Sequence, residues 1–298
     1  MKQNVGEKKK ILWYTLYGVL LTMGLLYYRF PSNDIRDYVQ TAATRANPSL
    51  LLWVERVGPS WPPGLKLRNI KLTLRKRPDD VLFSSAELSI RPELFSLLQG
   101  KPNYSFDSQT YGGKAKGTLH LTENNPSAPF TAWIKLKDID IGECAYLISL
   151  IGHRIGGILG GTLTFSKGSN LLIDGTGEAD IRVTDGRVEL PEPILSFERV
   201  KFTELSIKIA LKDRKLDLAR VELKGREVQG TLSGTIGLKK EISKSTLDLR
   251  GRIEPLAGIF QGIGGDMNTL RFLKKYLKKG SRSFIINGTF GEPGFRFT

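Results

Sequence analysis

The chain has 298 residues, 45 Lys or Arg against 30 Asp or Glu, and a net charge of +15 at neutral pH. Hydrophobic residues make up 40%, enough to build a core and too many for a natively disordered polymer. A single cysteine, Cys144, and two histidines, His120 and His153, exclude a disulfide framework and a Cys/His zinc site within one chain.

Residues 1–10 read as a basic cytoplasmic tail, with Lys2, Lys8, Lys9 and Lys10 against Glu7. Residues 11–28, ILWYTLYGVLLTMGLLYY, are uncharged and mostly apolar. As a helix at ~1.5 Å per residue they span about 27 Å, close to the depth of a hydrocarbon core. The expectation is a single transmembrane helix with Trp13, Tyr14, Tyr27 and Tyr28 at its two interfaces. The lysines before it place the N-terminus in the cytoplasm by the positive-inside rule. Cleavage as a signal peptide needs small residues just after the apolar run, and Tyr27 to Pro31 supplies none. The expectation is an uncleaved membrane anchor, with the rest of the chain on the far side of the membrane.

Residues 29–64 read as a helix and a linker. Ile35, Tyr38, Val39 and Ala42 fall at helical spacing after the cap candidates Ser32 and Asn33, and Asn47-Pro48 ends the helix. The stretch GPSWPPG, residues 58–64, reads as a loop in preference to a polyproline ligand.

Residues 65–298 read as one domain in which the dominant period is two. Leu65 and Leu67, then Ile70, Leu72 and Leu74, alternate with polar residues, and a β-bulge is expected near Asn69 where the register slips. The alternation recurs through most of the remaining chain. Leu163, Phe165, Ile181, Val183, Leu205, Ile207, Ile209, Leu232 and Ile236 should therefore project to one apolar face, with the other face wet. Asp185-Gly186 predicts a two-residue hairpin, and Asp213-Arg214 and Gly112-Gly113 mark further turns. Short helical patterns interrupt at residues 92–98, 142–155 and 266–279. The fold class expected is mainly β, an elongated antiparallel meander with strands paired in chain order, whose core grows along one axis.

The residues that could carry chemistry favour quieter roles. Cys144 lies in an apolar helix-like stretch, where a small buried residue is the usual occupant. Gly156, Gly157, Gly160 and Gly161 lack the Lys-Ser/Thr and following helix of a phosphate loop, and read as a helix end running into a closely packed strand. Asp138 with Asp140, and Glu178 with Asp180, have the alternate spacing of a strand's solvated face. No catalytic, cofactor-binding or metal residue is assigned. The basic residues are interspersed along strands and form no patch with stacking aromatics, which argues against nucleic acid. Within residues 266–279, Arg271, Lys274, Lys275, Lys278 and Lys279 oppose a stripe of Leu270, Leu273, Tyr276 and Leu277. Such a basic amphipathic helix suits contact with anionic lipid, or capping of one end of the sheet.

With the anchor, GLKLRNIKLTL, RPELFSLLQGKPNYSFDSQTYGGKAKGTL, LKDIDIGECAYL, GGILGGTLTFSKG and GEADIRVTDGRVELP in place, the sequence resembles the type II secretion system protein N (GspN) family. That family in turn looks related to AsmA-type envelope proteins. The resemblance implies a non-catalytic accessory component of an envelope export machine, in contact with the inner membrane and other secretion subunits. The AsmA kinship implies a curved β-groove whose apolar inner face can hold lipid.

Overall fold

The computed structural model describes residues 4–123, 128–168, 172–194, 197–226, 228–256 and 282–298. Helix α1 (Asn4–Tyr28) leads into helix α2 (Ser32–Ala46). The run expected to cross the bilayer thus forms one continuous helix. Among the described residues no helix is both long and apolar enough to cross a membrane. Ile11, Leu12, Val19, Leu20, Met23 and Leu26 of α1 lie outside the residues whose side chains are described.

Fourteen strands follow: β1 (Leu50–Ser60), β2 (Gly64–Leu74), β3 (Arg77–Pro92), β4 (Asn103–Thr110), β5 (Gly113–Leu121), β6 (Phe130–Asp140), β7 (Ile155–Lys167), β8 (Thr176–Ile194), β9 (Phe197–Lys212), β10 (Lys215–Lys224), β11 (Val228–Gly237), β12 (Thr246–Pro255), β13 (Arg282–Thr289) and β14 (Pro293–Phe297). They form a single open sheet in strict chain order, every neighbouring pair antiparallel. The expected meander is correct, and it begins earlier than expected: β1 comes from residues read as linker. Among the described residues two short helices, α3 (Leu94–Leu98) and α4 (Ala145–Ile151), interrupt it.

Four local expectations are corrected. Asp185-Gly186 is not a hairpin, because β8 runs straight through it for 19 residues. Asp185 takes a left-handed φ of 51°, as a hairpin would need, but spends it on a bulge against β7 between Gly156 and Ile158. The helix expected over 142–155 ends at Ile151, with Gly152 (φ 79°) as its left-handed cap; Gly156 to Gly161 belong to β7. At Asn69 no residue is inserted: Val54 faces Ile70 and Arg56 faces Arg68 in step. Asn69 instead adopts φ 49°, and the buried residues on either side of it, Leu67 and Ile70, are three apart, not two. The turn near Gly112-Gly113 uses Tyr111-Gly112, while Asp213-Arg214 turns where expected.

The apolar face is sealed at two places. Phe30, Ile35 and Val39 pack on Val54, Val57, Leu67 and Ile70, so α2 and Phe30, two residues ahead of it, cover β1 and β2. Tyr38, at the same helical spacing in the sequence, points away and is 70% exposed. Leu147 and Ile148 of α4 pack on a second cluster of Ile141, Ile155, Val183 and Phe202. Because α4 also touches β3, the sheet curls enough for distant strands to approach one helix from two sides. Bulges at 136–139, 156–158 and 218–220 provide that bending.

Candidate functional site

The register brings the nine residues expected on one face together. Ile181 on β8 faces Ile207 on β9, which faces Val221 on β10, which faces Leu232 on β11. Flanking rows run from Leu163 through Ala179 and Ile209 to Leu218, and from Phe165 through Gly177, Leu211 and Leu216 to Ile236. Val183 and Leu205 form a third pair that continues to Leu223. Directly opposite side chains share a face of the sheet, so these rows make one unbroken apolar surface across five strands.

Glycines set its relief. Gly161 lies in the row of Ile181 with φ 154°, and a Cβ there would sit 2.3 Å from the Asp180 carbonyl oxygen. Only glycine lets β7 approach β8 that closely. The surface is half-covered: Val183 is buried, whereas Leu163, Phe165, Ile181, Leu205, Ile207, Ile209, Leu232 and Ile236 keep intermediate exposure. The opposite face is wet and charged. Lys208 pairs with Asp180 at 3.5 Å and Arg182 with Glu204 at 3.5 Å.

At the α4 end, the Tyr111 ring stands edge-on to Phe83, 6.2 Å between centroids. The Tyr111 hydroxyl accepts from the Ser84 backbone N–H at 3.0 Å. Burial, aided by the neighbouring Cys144 thiol, pushes the Tyr111 phenol up to about 12. Cys144 itself is half-buried at the N-cap of α4, a packing position.

The carboxylate pairs do structural work. Asp140 accepts from the Gly142 N–H at 2.8 Å and caps the short turn before α4. Asp138 takes φ 55° at the β6 bulge, with Lys137 3.9 Å away. Glu178 and Asp180 stand on the solvated side of β8, two residues apart on one strand with Asp180 held by Lys208. Among the described residues no group of three or more His, Cys, Asp or Glu could hold a metal ion. Arg271, Lys274, Lys275, Lys278 and Lys279, the expected lipid contacts, lie outside the described residues.

Sequence reasoning reads Leu216 and Leu218 in the apolar alternation but misses their β10 neighbours Val221 and Leu223 as members of the face. Their alternation was visible, but the bulge between Leu218 and Val221 changes which parity points inward. No family model, curated protein or solved structure matches the chain.

Proposed function

We propose that the chain is an inner-membrane-anchored, periplasmic accessory component of the type II protein secretion machinery, acting without catalysis as a scaffold for other secretion subunits. The observation that carries the reading is the unbroken, half-covered apolar face of an open sheet that follows an N-terminal helix with aromatic ends. An apolar surface of this extent marks a site where something else is covered. The two carboxylate pairs, Asp138 with Asp140 and Glu178 with Asp180, serve a cap, a bulge and the solvated face. The sequence resemblance supplies the cellular system, and the helix of residues 4–28 supplies the tether.

A second reading, a lipid-binding or lipid-transfer groove of AsmA type, is favoured by one particular feature. On the face from β9 to β11, Ile207, Ile209, Leu211, Leu216, Val221, Leu232 and Ile236 keep intermediate exposure and belong to neither the cluster under α2 nor the cluster under α4. Acyl chains would remove that surface from water at about 25 cal/mol per Å2. One experiment separates the two. A photo-crosslinking amino acid placed at Ile207 or at Leu232 in the full chain, in native membranes, should give an adduct to a secretion subunit under the first reading. An adduct of phospholipid mass supports the second, and labelling by neither, with equal yield from Lys208, overturns both.

A further inference from the structure

The wet face of the sheet carries a feature that neither reading uses. A cavity of about 520 Å3 lies over β1 to β5, beside the C-terminal end of α1. Arg56, Lys66, Arg68, Arg91 and Lys114 all reach its wall, brought from four strands by the register: Arg56 faces Arg68, which faces Glu87, which faces Gln109, which faces Lys114. Two acids share the wall and both are occupied. Glu87 binds Lys66 at 2.7 Å, with Arg68 3.9 Å away, and Asp107 binds Lys116 at 2.7 Å from outside the wall. Arg56 has Glu55 3.6 Å away, so the excess positive charge of the cavity comes from Arg91 and Lys114, unlike the wet face of β8 and β9, where Lys208 and Arg182 each have an acid across the strand.

Arg91 supplies the second observation. Its Nε is buried and has no hydrogen-bond partner among the described residues. A buried cationic donor left unmade is unfavourable, and an incoming acceptor removes the penalty. A guanidinium presents a planar fork that suits a phosphate oxygen pair. The rim adds a third: Tyr27, the penultimate residue of α1, and Trp61, 74% exposed in the β1–β2 loop, both line the opening. Rings with an apolar body and a polar edge settle at headgroup depth.

We propose that this cavity binds a phosphate-type anion, the headgroup phosphate of an anionic phospholipid at the surface where α1 emerges. The site rests on the anchor reading only for the presentation of that lipid. It orients the sheet by holding the β1–β5 end against the membrane, leaving the apolar face of β7 to β11 free for its own occupant.

The test is native mass spectrometry of the full chain in neutral maltoside micelles doped with phosphatidylglycerol, with inorganic phosphate as a separate arm. Micelles deliver the lipid whether or not α1 crosses a bilayer, so failure here leaves the anchor and secretion readings standing, and failure of those leaves this site standing. Wild-type protein should retain phosphatidylglycerol, and Arg91→Gln with Lys114→Gln should lower the bound fraction about ten-fold, the loss of two charge-assisted contacts. Arg182→Gln with Lys208→Gln removes the same charge elsewhere on the wet face and should leave binding unchanged. Arg91→Lys, which keeps the charge and loses the fork, should fall between. Should the Arg91 variants lose the wild-type circular dichroism, Arg56→Gln with Lys114→Gln, both on exposed positions, carries the comparison. Equal loss from the remote pair, or no retention by wild type, overturns the site. Retention of inorganic phosphate without phosphatidylglycerol overturns the headgroup as its source.

Discussion

Ile207 and Lys208 are neighbours on β9 that face opposite media. Ile207 lies between Ile181 and Val221, whereas Lys208 reaches Asp180 across the wet face. Ile207→Asp should therefore lower stability by about 2 kcal/mol, the cost of an unpaired charge on a half-covered apolar face. Lys208→Gln loses one exposed ion pair and should stay within about 1 kcal/mol. Urea midpoints of the two variants check this, and equal shifts would mean that the faces are assigned the wrong way round. Gly186 makes a sharper case. A Cβ there would fall 1.9 Å from the Phe202 ring, so Gly186→Ala should cost about 2 to 3 kcal/mol through overpacking. Phe202→Leu should return part of that loss in the double variant, as expected for residues in contact. Tyr111 adds a pH dependence. Its phenol rises from 10.0 to about 12, so the folded state holds the proton that the unfolded state releases. Its contribution is complete below pH 10 and lost as pH rises through about 12. Tyr111→Phe should flatten the fall in the urea midpoint across that window while lowering stability at neutral pH, because the Ser84 N–H loses its acceptor.

At the scale of the element, β8 is the clearest departure from what local sequence suggests, and it sets a test of its own. In a Cys144→Ser background, Asp180→Cys with Lys208→Cys should oxidise readily, since the two positions are register partners on β8 and β9. Val183→Cys with Val188→Cys should not, because both lie along one continuous strand; efficient bridging of that second pair would restore the hairpin. Asp-Gly is locally satisfied by a bulge as well as by a turn, since both need one left-handed residue. What decides is Phe202, whose ring lies against Gly186 from the next strand, and such a partner has no local signature. The same logic separates the legible elements from the hidden ones. Bounds of α2, the Asp213-Arg214 turn, the chain-order pairing and the common face of the nine apolar residues all follow from short-range pattern. Strand β1 did not, because Leu50 to Trp53 is an unbroken apolar run, Pro59 follows, and Val54 and Val57 are buried at a spacing of three. Glycine placement misled at α4, where the first glycine after the apolar turn, Gly152, ends the helix before the more conspicuous cluster. The cationic cavity was illegible for a different reason. Its charged members span residues 56 to 114 and meet only when five strands are in register.

For the whole molecule, the meander means that each strand leans on its two neighbours and on little else, so stability should vary along the sheet instead of being shared. Among the described residues, two regions have a second layer: α2 over β1 and β2, and α4 over the cluster of Ile155, Val183 and Phe202. Farther on, Leu247 and Leu249 are buried within β12, but every residue of β14 is exposed, with Phe295 at 56% and Phe297 at 54%. β14 is also an edge, held by β13 alone. Hydrogen exchange of the full chain in micelles should show a gradient: slowest amides in 54–70 and 155–205, intermediate in β10 to β12, fastest in β13 and β14. Adding a ligand that fills the apolar face should slow the stretch of β9 to β11 around Ile207, Ile209, Val221, Leu232 and Ile236 most, because these side chains are half-exposed and lie outside both helix-covered clusters, whereas 54–70 is already sealed. Uniform protection across all fourteen strands would instead mean that the sheet unfolds as one cooperative unit, which nearest-neighbour packing does not permit. A ligand response confined to 54–70 would place the working surface under α2 and remove the β9–β11 face from any role in binding.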